Sequence, residues 1–268
     1  MVNKIALLAG NGKFPLLLAQ NAKKQNVEVI GIAIKEETSK ELENIVDRIY
    51  WLSVGELGKL FEILLKEKIN NVVMAGQVRH NLIFDKSIKL DSSMAGLLGS
   101  VKDKKTDSLI GAVASFLEQK GIKVLKSTLF LEDLLPKKGI LTNSSLDKTI
   151  LEDIEFGKDI IKVIAGLDIG QTIVVKDKTV LAVESIEGTD EAIKRGAFYG
   201  KEGVVVIKVS KPKQDMRFDI PVIGPGTISL LKEVKAKAIA IEAEKTLIID
   251  KDKVLNMANE IGLSVIAI

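Results

Sequence analysis

The sequence predicts an α/β protein of two domains, a Rossmann-like parallel sheet at the N-terminus and a mixed α/β domain after it. Short β-type runs alternate with helical patterns through the first third of the 268 residues. Several of those runs are continuously apolar, as strands buried on both faces of a parallel sheet are. Beyond Pro136-Lys137-Lys138-Gly139, a linker signal in which proline and glycine bracket two lysines, the order of elements changes. A boundary near residue 133 therefore separates residues 1–132 from residues 133–268.

In order, Ile5 to Ala9 reads as a buried strand, Phe14 to Gln25 as a helix, and Val27 to Ala33 and Ile49 to Leu52 as the next strands. Leu57, Leu60, Phe61, Leu64 and Leu65 recur at helical spacing opposite Glu56, Lys59, Glu62 and Lys66, an amphipathic helix. Asn71 to Ala75 is a strand that stops at Gly76. Ser108 to Gln119 is a helix ended before Gly121, and Ile122 to Leu125 a further strand. The stretch between Gly76 and Ser108 has no clear period.

In the second half Leu151 to Ile164 is a helix, and Thr172 to Val175 pairs with Thr179 to Glu184 across Lys176-Asp177-Lys178. Asp190 to Ala197 starts another helix. Gly203 to Val209 is a β-branched strand, and from Ile220 to the end short strands and helices mix. No repeat links the halves.

Composition narrows the chemistry. With 46% hydrophobic and 28% charged residues the chain can bury sizeable cores. Cysteine is absent and His80 is the only histidine, so disulfide scaffolds, cysteine nucleophiles, Cys/His zinc sites and multi-histidine centres are excluded within one chain. What remains is carboxylate, lysine, arginine, hydroxyl and amide chemistry, with a hard oxygen-bound cation such as Mg²⁺ or Mn²⁺. A net charge of +3 with acids and bases interspersed, and 4% aromatics, argues against nucleic acid. No run of 18 apolar residues is present, and the expected location is the cytoplasm.

Five segments could carry chemistry. Gly10-Asn11-Gly12 follows the first strand and precedes a helix with Pro15 in its first turn, a place where amides meet phosphate or where glycines simply make a tight turn. Pro15 breaks the G-x-G-x-x-G pattern, so NAD is disfavoured. Gly76-Gln77 holds the equivalent strand-end position, and His80 nearby is most simply a loop residue. Lys105 with Asp107, and Glu187 with Thr189 and Asp190, each precede a helix. Capping explains Asp107, Thr189 or Asp190, whereas a shared divalent cation would explain Glu187 beside Asp190. The densest segment runs from Lys208 to Gly224, with Lys208, Lys211, Lys213, Gln214, Asp215, Arg217 and Asp219. It reads either as a metal-assisted phosphoryl site or as a solvated charged loop.

In this order the segments resemble the LpxI family, the UDP-2,3-diacylglucosamine pyrophosphatases of lipid A biosynthesis. The resemblance runs through LLAGNGKFP (Leu7 to Pro15), VGELGKLF (Val54 to Phe61), MAGQV (Met74 to Val78) and LDIGQTIVV (Leu167 to Val175). It continues with VLAVESIEGTDEAIKR (Val180 to Arg195), KPKQDMRFDIPVIGPGTI (Lys211 to Ile228) and the terminal IGLSVIAI. The paired EGTD and QDxRxDxPxIG patterns are its most specific part.

The resemblance implies Mg²⁺-assisted cleavage of the pyrophosphate of UDP-2,3-diacylglucosamine, giving UMP and 2,3-diacylglucosamine 1-phosphate. It implies Asp219 as the essential carboxylate, with Asp190 and Glu187 as further metal ligands, and Lys208, Lys211 and Arg217 on the phosphates. Gly10, Asn11, Gly12, Gly76, Gln77, Lys105, Asp107, Thr189 and Gln214 are the further substrate-binding candidates, the glycine turns being expected along an interdomain cleft. A substrate with two acyl chains calls for an apolar slot and weak peripheral contact with the inner face of the cytoplasmic membrane. Leu97-Leu98 and Leu129-Phe130-Leu131 are slot candidates for which core packing is the plainer account. A homodimer is compatible with all of this. The competing expectation is a nucleotide-sugar binding or sensing protein on the same scaffold, without hydrolysis.

Overall fold

A computed structural model describes residues 2–79, 82, 88–102, 106–144, 147–212 and 214–268, the side chains of 106 and 107 excepted. His80, Lys105, Lys213 and the side chain of Asp107 thus lie outside the described residues. The chain divides into two units, one of Met1–Glu132 with Met216–Asp219 and the other of Asp133–Asp215 with Ile220–Ile268.

Unit 1 contains β1 (Lys4–Ala9), α1 (Phe14–Lys24), β2 (Glu28–Ile34), β3 (Arg48–Leu52), α2 (Leu57–Lys66), β4 (Asn71–Ala75), α3 (Ser92–Ser100), α4 (Thr106–Gln119) and β5 (Lys123–Leu125). Its five strands are all parallel in the order β3-β2-β1-β4-β5. The order reverses between β1 and β4, the position at which open α/β sheets commonly place a ligand.

Local chemistry accounts for these elements. Ile5, Leu7 and Ala9 are fully buried and Leu8 packs against the core, as a central strand requires. In α1, Pro15 supplies a pre-set first turn, and Phe14, Leu18 and Ala22 face the sheet at i, i+4 and i+8. The α2 stripe is rotated from its expected position: Leu57, Leu60, Ile63 and Leu64 are buried while Leu65 is exposed. Phe61 meets Phe116 of α4 edge-on at 6.2 Å, so α2 packs sideways against a helix as well as down onto the sheet. The unperiodic stretch hides α3, which is only thinly buried, through Leu97. Asp91 caps it, accepting from Met94 N at 2.8 Å, and also accepts from Gly58 N at 2.7 Å, tying the starts of α2 and α3 together.

At the amino edge of this sheet the nearly buried Glu67 accepts from Tyr50 Oη at 2.5 Å and Arg48 Nη1 at 2.8 Å, with Lys4 Nζ at 3.5 Å. The Tyr50 hydrogen bond, working against burial and aided by Arg48 and Lys4, holds the Glu67 carboxyl below its ordinary pKa. The same hydrogen bond raises that of Tyr50.

Unit 2 contains β6 (Gly139–Ile140), α5 (Lys148–Gly166), β7 (Thr172–Lys176), β8 (Thr179–Val183), α6 (Thr189–Gly200), β9 (Val205–Lys208), β10 (Val222–Ile223), α7 (Pro225–Glu233), β11 (Ala238–Ile241), β12 (Leu247–Ile248), α8 (Lys251–Glu260) and β13 (Ser264–Ala267). The main sheet runs β6-β13-β11-β9-β7-β8, parallel through β13, β11 and β9 and antiparallel elsewhere; β10 and β12 form a small parallel pair. Helix α5 covers one face through Ile150, Ile154 and Ile161. Ile193, Leu231 and Val254, from α6, α7 and α8, cover the other. The β7–β8 turn places Asp177 and Lys178 at φ of 49° and 55°, and buried Asp153 of α5 accepts from both of their amides, at 3.1 and 2.7 Å.

Residues 216–219 belong with unit 1 although the chain around them belongs to unit 2. Met216 O accepts from Ser127 N at 3.1 Å, Arg217 Nη1 donates to Glu118 Oε1 at 2.6 Å, and Phe218 packs on the unit-1 core. A single boundary along the chain cannot express this return, because tertiary packing alone decides it. Among the described residues no helix is long and apolar enough to cross a membrane.

Candidate active site

In unit 1 the candidate residues at the strand ends are positioned by backbone. After β1, Gly10 N donates to Ala75 O at 2.8 Å, Asn11 N to Gln77 O at 2.7 Å, and Gln77 N to Asn11 O at 3.1 Å. The loops that follow β1 and β4 are thus laced by a two-way bridge. Glycine is required on both sides of it. A Cβ on Gly10 would stand 2.4 Å from Gln77 O, and one on Gly76, whose φ is +91°, would stand 2.6 Å from Asn11 O. Gly12 N turns back onto Asn11 Oδ1 at 2.6 Å, and no side chain caps α1.

A second brace comes from the end of β2. The buried carboxylate of Glu37 accepts from Arg79 Nε at 2.9 Å and Arg79 N at 3.1 Å, while Arg79 Nη2 donates to Glu36 O at 3.1 Å. Thr38 Oγ1 donates to Ala9 O, linking this brace to β1. Among the described residues, one carboxylate oxygen each of Glu36 and Glu37 is buried with no hydrogen-bond partner, an exception to the usual satisfaction of buried polar atoms. Sequence reasoning passed over Glu36, Glu37 and Arg79; the available signal was a charged Lys35-Glu36-Glu37 run directly after an apolar strand.

Below these loops lies a cavity of about 360 Å³ whose walls all belong to unit 1. Gly10 and Gly76 line it together with Leu8, Ile32, Met74 and Phe218. Of the two candidate apolar segments, Leu97 and Leu98 line this space, whereas among the described residues Leu129 to Leu131 do not.

In unit 2 the candidate residues are side chains at the edge where β9 and β11 end. Lys208 Nζ, on the last residue of β9, donates to Thr189 Oγ1 at 2.8 Å, and Thr189 Oγ1 donates to Glu184 Oε1 at 2.7 Å. Glu184 Oε2 accepts from Gln171 N at 3.1 Å. Thr189 opens α6, so this line sets a lysine cation over a helix start. Next along the edge Glu242 accepts from Ser210 N and Oγ at 2.8 and 2.5 Å and from Lys245 Nζ at 2.8 Å. Burial pulls the Glu242 carboxyl upward, and the hydrogen bonds from Lys245 and Ser210 outweigh it, leaving the pKa below the ordinary value.

Within the Lys208–Gly224 segment, Lys211 and Gln214 close a turn. Lys211 N donates to Gln214 Oε1 at 2.6 Å and Lys211 Nζ pairs with Asp168 at 2.9 Å. Among the described residues, Gln171 Oε1, Thr172 Oγ1, Gln214 Nε2 and Thr246 Oγ1 of unit 2 are buried with no hydrogen-bond partner. Asp190 is exposed in the first turn of α6, and Glu187 is engaged by Arg195. Asp219, half-buried, closes the short segment that stays with unit 1.

The structure therefore brings together Gly10, Asn11 and Gly12 with Gly76 and Gln77, Lys208 with Thr189, and Lys211 with Gln214. Among the described residues no three His, Cys, Asp or Glu side chains gather into a protein-built metal cage.

These features define a two-unit α/β protein whose candidate site residues sit at strand ends, with a backbone-built edge in one unit and a charged edge in the other. The chain belongs to the LpxI family: residues 4–134 match the LpxI N-terminal domain and residues 137–266 the LpxI C-terminal domain. It is 28% identical over 279 aligned positions to the UDP-2,3-diacylglucosamine pyrophosphatase LpxI of Caulobacter vibrioides, covering 100% of this chain and 98% of that protein. Among solved structures, the biotin carboxylase domain of the Hydrogenobacter thermophilus 2-oxoglutarate carboxylase aligns at 12% identity and a TM-score of 0.30, over 65% of this chain and 34% of that one. The Mycobacterium tuberculosis glycinamide-RNase-transformylase T aligns at 12% identity and 0.26, over 68% and 44%. Likeness at this level bears on neither fold nor chemistry.

Proposed function

We propose that the protein hydrolyses the pyrophosphate bond of UDP-2,3-diacylglucosamine, releasing UMP and 2,3-diacylglucosamine 1-phosphate for lipid A biosynthesis. The observation that carries this reading is the Lys208–Thr189–Glu184 line at the carboxyl end of β9, in a chain matched to the pyrophosphatase family from end to end. Water forms a new bond to one phosphorus as the bridging P–O bond breaks. Negative charge then grows on the leaving phosphate, and Lys208, Lys211 and Arg217 are the cations that answer it. Asp219 orients the water and accepts its proton. Glu184 and Thr189 position the Lys208 ammonium.

Mg²⁺ or Mn²⁺ fits this donor chemistry, which is all oxygen, provided that one or two carboxylates hold it together with the phosphates. Asp219, with Asp190 and Glu187 as further candidates, would hold the ion, which when bound would neutralise phosphate charge. The reading includes weak contact with an anionic membrane. In its support, α6 exposes Phe198 and Tyr199 beside Lys194, and Lys201 Nζ sits 5.2 Å from the Phe198 ring.

The experiment is UMP release from UDP-2,3-diacylglucosamine by purified protein with Mg²⁺, with EDTA, and in folded Asp219→Ala. Release that needs the ion and that the substitution abolishes is expected. Binding of the substrate without release under any divalent cation would replace this reading with a nucleotide-sugar binding protein.

A further inference from the structure

Arg79 is held more firmly than its exposure calls for. Its side chain is 59% exposed, yet Nε donates to Glu37 Oε1 at 2.9 Å and Nη2 donates to Glu36 O at 3.1 Å. The residue's own amide donates to the same Glu37 oxygen at 3.1 Å. The holder is the costly partner. The Glu37 side chain has 0% exposure, and its second oxygen, Oε2, is buried with no hydrogen-bond partner among the described residues. A pair kept for stability alone is poorly served by this, because desolvating a carboxylate offsets what the pair returns and an unpaired oxygen adds to the cost. An exposed arginine needs no such partner, since water satisfies its donors and its rotamers stay open.

What the arrangement achieves is a guanidinium fixed in direction before any ligand arrives. Nη1 carries no hydrogen bond among the described residues, so the planar fork keeps a donor edge for an acceptor from outside. Its place in unit 1 says what kind of acceptor. Arg79 follows β4 at the switch between β1 and β4, two residues past Gln77, which bridges Asn11. Helix α1 opens at Phe14, just after that bridge, and no side chain caps it, so its positive dipole end lies on the same side of the sheet. Permanent charge, a planar donor edge and a helix start together suit a phosphate.

We propose that Arg79 is a phosphate-binding residue of unit 1, with Glu37 as its positioning residue. The ligand class is a phosphate group, either the free ion or the head of a phosphate ester. The inference asks only that unit 1 bind phosphate and does not depend on hydrolysis.

The test reads the Arg79 Nε–H signal by NMR in the full-length protein with nitrogen-15-labelled arginine, assigned by its absence in Arg79→Lys. The probes are inorganic phosphate, UMP and glucosamine 1-phosphate, with chloride at the same ionic strength as the control, since screening alone moves exposed charges. A saturable shift with phosphate and none with chloride is expected. Tighter binding of one ester would say which phosphate the site takes, and equal binding would make the free ion the ligand; both sustain the site. Read at the neighbouring Val78 amide, Arg79→Ala should bind roughly 10- to 100-fold more weakly, the worth of a charge-assisted hydrogen bond. Arg79→Lys should recover little of this, because lysine keeps the charge without the fork. Glu37→Gln separates positioning from charge. Deleting a negative charge near an anion site raises affinity by Coulomb attraction alone, whereas loss of the positioning contact lowers it, on the order of fivefold. An Arg79 signal indifferent to phosphate in the wild-type protein, which needs no variant to fold as expected, or an affinity that rises in Glu37→Gln, would overturn the proposal. A saturable shift in a protein that releases no UMP would sustain the phosphate site while the hydrolytic reading fails.

Discussion

The two strand-end edges solve the same problem with opposite materials. In unit 1 the edge between β1 and β4 is laced backbone over an apolar cavity, with Glu37 and Arg79 as a brace beside it. In unit 2 the edge carries two groups of charged and hydroxyl side chains, Glu184–Thr189–Lys208 and Ser210–Glu242, each joined by hydrogen bonds of 2.5–2.8 Å. A parallel sheet gathers its strand ends in one place, and what is gathered depends on the neighbours. Glycines let two loops approach until only backbone fits, whereas a mixed sheet with an antiparallel hairpin brings Gln171 and Glu184 beside the end of β9. One edge thus suits shape and apolar fit, the other charge.

If that division is real, substitutions at the two edges should fail differently. The largest expected effect is on turnover in unit 2: Lys208→Ala should lower kcat on the order of 10²-fold with an unchanged melting temperature, since it removes one cation answering charge in the transition state. A loss of stability with kcat retained would make Lys208 structural and erase the contrast. In unit 1 the expected failure is folding. Gly10→Ala should cost about 2–3 kcal/mol in urea unfolding, because the added Cβ meets Gln77 O and the bridge must open.

Smaller, and a sharper probe of the brace, is Glu37→Gln. It should cost about 1–2 kcal/mol by weakening charge-assisted hydrogen bonds to Arg79. Hydrogen exchange at the Gly76–Arg79 amides should rise, while the β9 amides stay protected. The smallest effect concerns pH. Because the folded Glu67 carboxyl lies below its unfolded value, its stabilisation is present above the unfolded pKa of about 4.3 and is lost as pH falls through the folded one. Wild type and Glu67→Gln should therefore differ in urea midpoint at pH 7 and converge in acid. A gap that widens on acidification would mean the Tyr50 and Arg48 bonds do not hold the charged form.

Much of this was legible before folding was considered. Ile5–Ala9, Asn71–Ala75 and the β7–β8 hairpin announce themselves through apolar runs and turn residues, and the glycines at 10 and 76 through their place after strands. The α2 stripe was legible only in part, since periodicity gives a face but not the angle at which neighbours bury it. Helix α3 escaped because it buries little beyond Leu97 and has no apolar period to read. Glu37 and Arg79 escaped because a charged pair 42 residues apart leaves no local pattern.

What the sequence by itself determined is the alternation that makes unit 1 a parallel sheet, the exclusion of thiol and multi-histidine chemistry, and the motifs that place the chain in its family. These depend on local preferences and on which atoms are present at all. Only the tertiary structure decided that residues 216–219 leave unit 2 to pack with unit 1, that Lys208 lies over Thr189, and that aliphatic side chains from strands and helices far apart in sequence stop short of filling the space between them. Each is set by where distant segments come to rest, and that depends on the packing of the whole chain.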